Sequence, residues 1–129
     1  MSFFPRLPRI GLELQGKPLP IEIALADGFF SRLRGLMFAP PLSPGRGLLI
    51  APCHGIHALF MRGEFEAVFL AKDGQVLKIA TPLRPWRGLS VCRGAGAVLE
   101  WAVGEAASLG VREGARLEWT KWNEQENGR

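Results

Sequence analysis

Apolar and polar residues alternate with a period of two at the start of the chain. In residues 9–15, isoleucine and leucine alternate with polar or small residues, and residues 21–25 repeat the pattern after a turn at residues 16–18. A period of two matches the pleat of a half-buried strand. The two segments therefore predict an N-terminal hairpin.

The period changes after Asp27. Apolar residues recur at three- and four-residue spacing as far as Met37, while arginines fall on the other side. The carboxylate of Asp27 can accept hydrogen bonds from the unpaired amides of a first helical turn, and Pro40-Pro41 cannot continue a helix. This pattern predicts a short helix over residues 28–37.

The remaining apolar runs are short and are bounded by glycine or proline, as is typical of strands. Residues 47–52 are apolar without alternation, as expected of a strand that is covered on both faces. Asp73-Gly74 between apolar runs is a strong hairpin signal, so residues 65–71 should pair antiparallel with residues 75–81. The other predicted segments are an extended run at 56–62, a loop or irregular edge at 83–91, strands at 97–103 and 115–119, and a helix at 105–109 that Gly110 ends.

About eight short strands and two short helices predict a mostly β fold, either a β-sandwich or a partly closed barrel, with two short α-helices. A length of 129 residues fits a single domain. We expect this domain at residues 7–122 and a flexible, polar tail at residues 123–129. With 47% hydrophobic residues, the chain can build a core without disulfides or metal.

The chain has a formal net charge of +4, and its arginines are scattered singly along the sequence. A nucleic-acid-binding protein would cluster them, so we predict no nucleic-acid partner. No run approaches the roughly 18 apolar residues of a membrane span, and the N-terminus has no export signal. We therefore expect no membrane contact, a cytoplasmic location with reduced thiols, and a monomer or weak dimer.

Several motifs follow one another in a specific order: ALADGFFSRLRGLMF, GLLI, CHGIHALFMR, VFLAKDGQVLKI, LRPWR and AVLEWAVGEAASLGVREGARL. This order resembles the small bacterial and archaeal family called domain of unknown function 192, over residues 7–119. The resemblance implies a single β-rich domain with a short helix after the second strand, and it implies no established activity. Phe65-Glu66 stands where members typically carry Ile-Asp.

A cysteine and two histidines form the first candidate site. On an extended chain Cys53 and His57 face one side and His54 the other, so a shared zinc ion would require a bend at Gly55. Their spacing matches no zinc signature. A Cys–His nucleophile would need the same bend and has no third orienting residue. We predict no metal, no cofactor and no catalytic residue from this set.

Charged residues within or beside apolar segments form the second candidate site. The structural interpretation is one or two buried ion pairs, with Arg62 or Arg87 bridging to Glu100. The functional interpretation is a pocket in which an arginine holds a carboxylate or phosphate of a small ligand. The predicted lining residues are His57, Arg62, Trp86, Arg87 and Glu100.

Three functions follow from these residues. The first is a non-catalytic β-domain that binds an unknown small molecule or protein at the His/Arg/Glu pocket. The second is a hydrolase that uses Glu66 or Glu100 as acid or base with His57, and a pair of such carboxylates should lie roughly 5–10 Å apart across a cleft. The third is an assembly role through strand edges and the C-terminal tryptophans.

Overall fold

The computed structural model describes residues 7–26, 43–52, 55–57, 63–84 and 89–121. The predicted helix at residues 28–37 and the predicted tail at residues 123–129 lie outside these ranges. The described ranges contain ten strands and one helix. They are β1 (Arg9–Leu14), β2 (Lys17–Pro18), β3 (Glu22–Ala26), β4 (Arg46–Ile50), β5 (Gly55–His57), β6 (Phe65–Leu70), β7 (Val76–Leu83), β8 (Leu89–Val91), β9 (Ala97–Trp101), α1 (Glu105–Leu109) and β10 (Leu117–Lys121).

Eight of the strands form one sheet, in the order β10-β1-β3-β4-β9-β6-β7, with β2 paired to β1. Strands β3 and β4 are parallel, and the other described pairs of this sheet are antiparallel. Strands β5 and β8 form a separate two-stranded ribbon. The predicted N-terminal hairpin is confirmed as the pairing of β1 with β2 and β3.

The two ends of this sheet meet where β7 begins. Gln75 forms a β-bridge with Arg116, just before β10. The amide of Val76 donates to the carbonyl of Ala115 at 2.8 Å, and the amide of Leu117 donates to the carbonyl of Gly74 at 2.9 Å. The sheet is therefore curled into a half-barrel, which confirms the prediction of a mostly β, partly closed barrel.

Each face of the sheet carries its own hydrophobic cluster. The inner cluster is enclosed by the curl, because it draws on β1 and β10 as well as the central strands, and Ala106 of α1 closes it. The outer cluster lies on the other face of β3, β4, β6, β7 and β9. Its buried members are Ala24, Ala26, Leu48, Ile50, Phe65, Ala67, Phe69, Leu83 and Val98.

Two local predictions are confirmed. Strands β6 and β7 pair antiparallel around Asp73-Gly74, from Phe65 opposite Leu83 to Leu70 opposite Val76. The helix α1 spans the predicted residues and ends at Gly110, whose φ of 79° is left-handed. Within the described ranges, no helix is long and apolar enough to span a membrane.

The prediction of a loop at residues 83–91 is wrong for part of that segment. Strand β7 continues through Pro82 to Leu83, and β8 (Leu89–Val91) pairs antiparallel with β5. Pro82 does not interrupt β7 because β7 is an edge strand at this point, paired with β6 on one side only. Proline lacks an amide N–H, and an exposed proline is tolerated on an edge strand. The C-terminal strand also begins later than predicted and extends to Lys121.

Replacing Gly74 with alanine is expected to destabilise the protein by roughly 2–4 kcal/mol. Gly74 has a φ of +92°, and a Cβ there would overlap the backbone oxygen of Leu117 at the seam of the half-barrel. Gly16→Ala is the matched control, since Gly16 has a φ of +88° with nothing within 4 Å of the added Cβ. Urea denaturation measures both variants, and equal losses would contradict a close approach at the seam.

Candidate functional site

Glu100 lies at the centre of the outer face. On β9 it pairs with Leu48 of β4 on one side and Ala67 of β6 on the other. Paired residues point to the same side of a sheet, so the row continues to Ala24 of β3 and Ala80 of β7. Beyond Ala24 the row ends at Arg9 of β1. Between Arg9 and Ala80, its only polar side chain is the Glu100 carboxyl, which is 1% exposed.

The carboxyl of Glu100 is buried without a described partner. Its Oε1 has no hydrogen-bond partner among the residues that the structure describes. Burial raises the pKa of Glu100 from 4.5 to about 8, because the charged form loses its hydration. At neutral pH the group is therefore mostly the uncharged acid, which offers one O–H donor and one carbonyl acceptor.

The surroundings of this carboxyl are small as well as apolar. Ala24, Ala67 and Ala80 occupy strand positions where larger β-branched or aromatic residues are usually favoured. The next row of the same face carries Val98 and Phe69, which are fully buried. Ala67 is thus a short neighbour of Glu100 on β6, whereas Leu48 lies beside it on β4, and Ala24 and Ala80 are one strand further out.

Glu66 points to the opposite face. It pairs with Trp101, whereas its neighbour Ala67 pairs with Glu100, and successive residues of a strand alternate between faces. The carboxylate of Glu66 accepts hydrogen bonds from the indole Nε1 of Trp101 at 2.7 Å, the amide of Ala106 at 2.9 Å and the amide of Gly104 at 3.1 Å. Glu66 therefore anchors the first turn of α1 to strand β6.

This anchoring explains how α1 begins without a capping side chain of its own. Its N-cap is Gly104, which has a φ of 90° and no side chain to accept from the first amides. Glu66 supplies that acceptor from β6. A second acidic contact holds the same helix, since Oε2 of the buried Glu105 accepts from the amide of Gly45 at 2.7 Å.

The two glutamates do not form a catalytic pair. They lie on opposite faces of one sheet, so no single cleft can hold a substrate between them. Glu66 already accepts three N–H donors inside the half-barrel. The two carboxylates therefore do not face one cleft as an acid–base pair would. The hypothesis of a hydrolase that uses Glu66 or Glu100 with His57 stays a prediction, and Glu66 has a structural role that the sequence did not reveal.

The other predicted site residues fall mostly outside the described ranges. His57 lies on β5, where its backbone pairs with Leu89 of β8. Arg62, Trp86 and Arg87 lie outside the described residues, and so do Cys53 and His54. The convergence of these residues with Glu100 therefore stays a prediction. Cys92, which follows β8, is a free thiol and packs against the outer cluster.

A separate open groove of about 310 Å³ lies at the seam of the half-barrel. Its lining comes from the β6–β7 turn and β10, and none of it belongs to the Glu100 row. The lining residues are Lys72, Asp73, Gly74, Leu117, Glu118 and Trp119. In the described part of the chain, no group of three or more His, Cys, Asp or Glu side chains is placed to hold a metal ion.

Comparisons with known proteins agree on the family. The sequence profile of DUF192, described as "Uncharacterized ACR", matches residues 11–119. A UPF0127 protein of Pyrococcus furiosus is 36% identical over 114 residues, which cover 83% of this chain and 94% of that protein. A UPF0127 protein of Thermococcus kodakarensis is 29% identical over 119 residues, with coverage of 88% and 74%. Both of these relatives are archaeal proteins.

Solved structures share the fold. A Sinorhizobium meliloti protein, provisionally described as a transcription regulator, superposes with a TM-score of 0.74 and 25% identity, covering 87% of this chain and 92% of that one. A Novosphingobium aromaticivorans protein of unknown function gives a TM-score of 0.73 at 24% identity, with coverage of 86% and 84%. The second likeness supports the fold alone.

Proposed function

Because this chain belongs to the DUF192 family, whose description assigns no activity, we propose a function from its own geometry: it is a non-catalytic domain that binds a small polar ligand at Glu100. The ligand would lie on the outer face of the curled sheet, over the row in which Leu48 and Ala67 flank the carboxyl.

One observation carries this proposal, the buried carboxyl whose Oε1 has no described partner. An unsatisfied buried polar group costs roughly 1–3 kcal/mol, and an apolar side chain of similar size would avoid that cost. Buried polar atoms without partners are uncommon, so each one calls for a specific explanation. A ligand that hydrogen bonds to Glu100 supplies the missing partner.

The two-stranded ribbon supports a wider site that includes the other predicted residues. His57 pairs with Leu89 on this ribbon, and Trp86 and Arg87 precede Leu89 by three and two residues in the sequence. Cys92 follows the ribbon and packs against the outer cluster, which is the face that carries Glu100. We therefore retain His57, Arg62, Trp86 and Arg87 as proposed lining of the same site.

A transcription-regulator role, as named for the Sinorhizobium meliloti protein, is not favoured for this chain. The described residues contain a single helix of five residues, which is too short to act as a recognition helix in a DNA groove. The arginines are also scattered along the sequence rather than clustered. Neither feature favours a nucleic-acid partner.

Thermal-shift screening tests the proposal directly. Among metabolites, sugars and nucleotides, at least one compound is expected to raise Tm by roughly 5 °C or more at about 100 times its dissociation constant. Glu100→Gln should abolish the shift, because it removes the acid but keeps the shape of the side chain. Glu13→Gln is the control, since it makes the same change at an exposed position of β1.

Two results would contradict binding at Glu100. In the first, no compound of the panel stabilises the wild-type protein. In the second, a compound stabilises the wild-type protein and Glu100→Gln to the same extent, which would place its binding elsewhere. Far-UV circular dichroism of each variant before screening confirms that the half-barrel is intact.

A further inference from the structure

We propose that the groove at the seam of the half-barrel binds the C-terminal end of an extended peptide, which adds to β10 as a further strand. This seam groove, of about 310 Å³, is lined by residues 72–74 and 117–119, and all six are described. It shares no residue with the Glu100 row, so it is separate from the small-ligand site proposed above.

The seam groove is a fork between β10 and the β6–β7 turn. At its closed end the amide of Leu117 donates to the carbonyl of Gly74 at 2.9 Å. Beyond this bond the turn leaves β10, since the amide of Gly74 donates to the carbonyl of Ala71 at 2.9 Å within the turn. Strand β10 continues to Lys121. The groove therefore opens where β10 loses its described neighbour on this side.

The backbone of Trp119 forms a free strand edge in the seam groove. The amide of Gln15 donates to the carbonyl of Arg116 at 3.2 Å, so Arg116 turns its backbone groups towards β1. Because successive residues of an antiparallel strand alternate in this respect, Trp119 turns its N–H and C=O away from β1. No backbone group within the described ranges pairs with Trp119 on that side. One donor and one acceptor are therefore available to a further strand.

The two walls of the seam groove carry opposite charges. Glu118 is exposed on β10 and Lys72 is exposed on the turn, and neither forms an ion pair with another described residue. Asp73 and Arg116 offset each other, since they are paired at 3.0 Å. Glu13 of β1 lies directly opposite Glu118 and adds negative charge on that side. The groove is therefore complementary to a positive group beside β10 and a negative group beside the turn.

The closed end of the fork selects a chain end as the occupant. A strand added to β10 cannot continue past Leu117, because Gly74 already occupies the place beside it. An antiparallel strand runs towards this closed end and brings its C-terminal carboxylate to the side of Lys72. A parallel strand brings an N-terminal ammonium group there, which Lys72 repels. The charge of the turn therefore favours an antiparallel strand that ends in a free carboxylate.

The register predicts the last two residues of this peptide. The penultimate residue pairs with Trp119, so its side chain lies on the same face as the indole, which packs against the inner cluster. An apolar side chain suits that position. The final residue lies opposite Glu118, where a lysine or arginine side chain meets its counter-charge. The recognised end is therefore an apolar residue followed by a basic one.

Fluorescence anisotropy of the whole chain with labelled peptides tests the inference. The probe is Gly-Ser-Thr-Val-Lys with fluorescein on its N-terminus and a free C-terminus, and it is expected to bind saturably. Amidation of the C-terminus should weaken binding roughly threefold, as expected for the loss of one exposed ion pair. Methylation of the valine nitrogen should abolish binding, because it removes the N–H that donates to the carbonyl of Trp119.

Charge exchange at Glu118 makes the test specific to the seam groove. Glu118→Lys should weaken binding of the probe roughly tenfold and should favour a peptide that ends in Val-Glu. This variant should stay folded, because it places a lysine opposite Glu13. Lys72→Ala should remove the difference between the free and the amidated peptide. Glu64→Lys is the matched control and should bind like the wild-type protein, since Glu64 is exposed at the far end of β6 from the turn.

Four results would overturn the inference. The first is no saturable binding of the probe up to about 1 mM. The second is equal binding of the peptide with a methylated valine nitrogen, which would exclude strand addition. The third is an equal effect of Glu118→Lys and Glu64→Lys, which would place the contact elsewhere. The fourth is a dimer of the protein alone, seen by light scattering and disrupted by Glu118→Lys, which would show that a second copy pairs with β10.

Discussion

The free energy of unfolding is expected to fall as the pH rises from 4.5 to about 8, and to level off above that range. Below pH 4.5 Glu100 is protonated in both the folded and the unfolded chain. Between the two values the unfolded chain has lost this proton while the folded chain keeps it, so each pH unit disfavours folding by up to about 1.4 kcal/mol. Above about pH 8 the group is ionised in both states.

Comparison with Glu100→Gln isolates this contribution from other titrating groups. The variant cannot ionise at position 100. The difference between its free energy of unfolding and that of the wild-type chain should therefore grow in its favour by several kcal/mol between pH 4.5 and about pH 8. Urea denaturation at pH 5, 6, 7 and 8 measures both proteins. A constant difference between them would show that Glu100 is ionised in the folded state, and hence that a donor or cation already accompanies it.

Glu66→Gln is expected to destabilise the protein by roughly 2–4 kcal/mol at neutral pH. Oε2 of Glu66 accepts from Trp101 and Ala106, and Oε1 accepts from Gly104. A glutamine amide has one oxygen, so at least one of these N–H groups would face the NH₂ group, which is also a donor. The loss of these hydrogen bonds should also destabilise α1, because its first turn depends on them.

Hydrogen exchange locates the effect of this substitution. The amide of Ala106 should exchange faster in Glu66→Gln than in the wild-type protein, while amides in the β6–β7 hairpin change little. Glu13→Gln makes the same chemical change at an exposed site and should alter stability by less than about 0.5 kcal/mol. A similarly small loss in Glu66→Gln would mean that α1 does not depend on this carboxylate.

Local patterns predicted much of the fold. The hairpin at Asp73-Gly74 and the helix ended by Gly110 depend on neighbouring residues and on backbone conformations that glycine adopts readily, so short motifs indicate them well. The resemblance to the family of domain of unknown function 192 was also correct. Pro82 shows the limit of such reasoning, because its effect depends on whether its strand has one neighbour or two.

The candidate site was harder to predict because it depends on the pairing of strands that are distant in sequence. Glu66 and Glu100 look alike, each a single acid in an apolar run. Their roles differ because β6 and β9 pair in a register that puts Trp101, not Glu100, beside Glu66. No local pattern fixes that register. The alanines at positions 24, 67 and 80 were the available signal, since alanine is disfavoured in strands.

The pairing of β1 with β10 has a consequence for how the protein forms in the cell. Ile10 lies opposite Lys121, so the first and the last described strands are neighbours in the sheet, and β10 is synthesised after the other described strands. Until Leu117–Lys121 leaves the ribosome, β1 presents an open edge on that side, and the seam at Gln75 and Arg116 is also unmade. Until β10 pairs with β1, the nascent chain therefore has an open strand edge that can associate with another chain, although its other apolar strands are already synthesised.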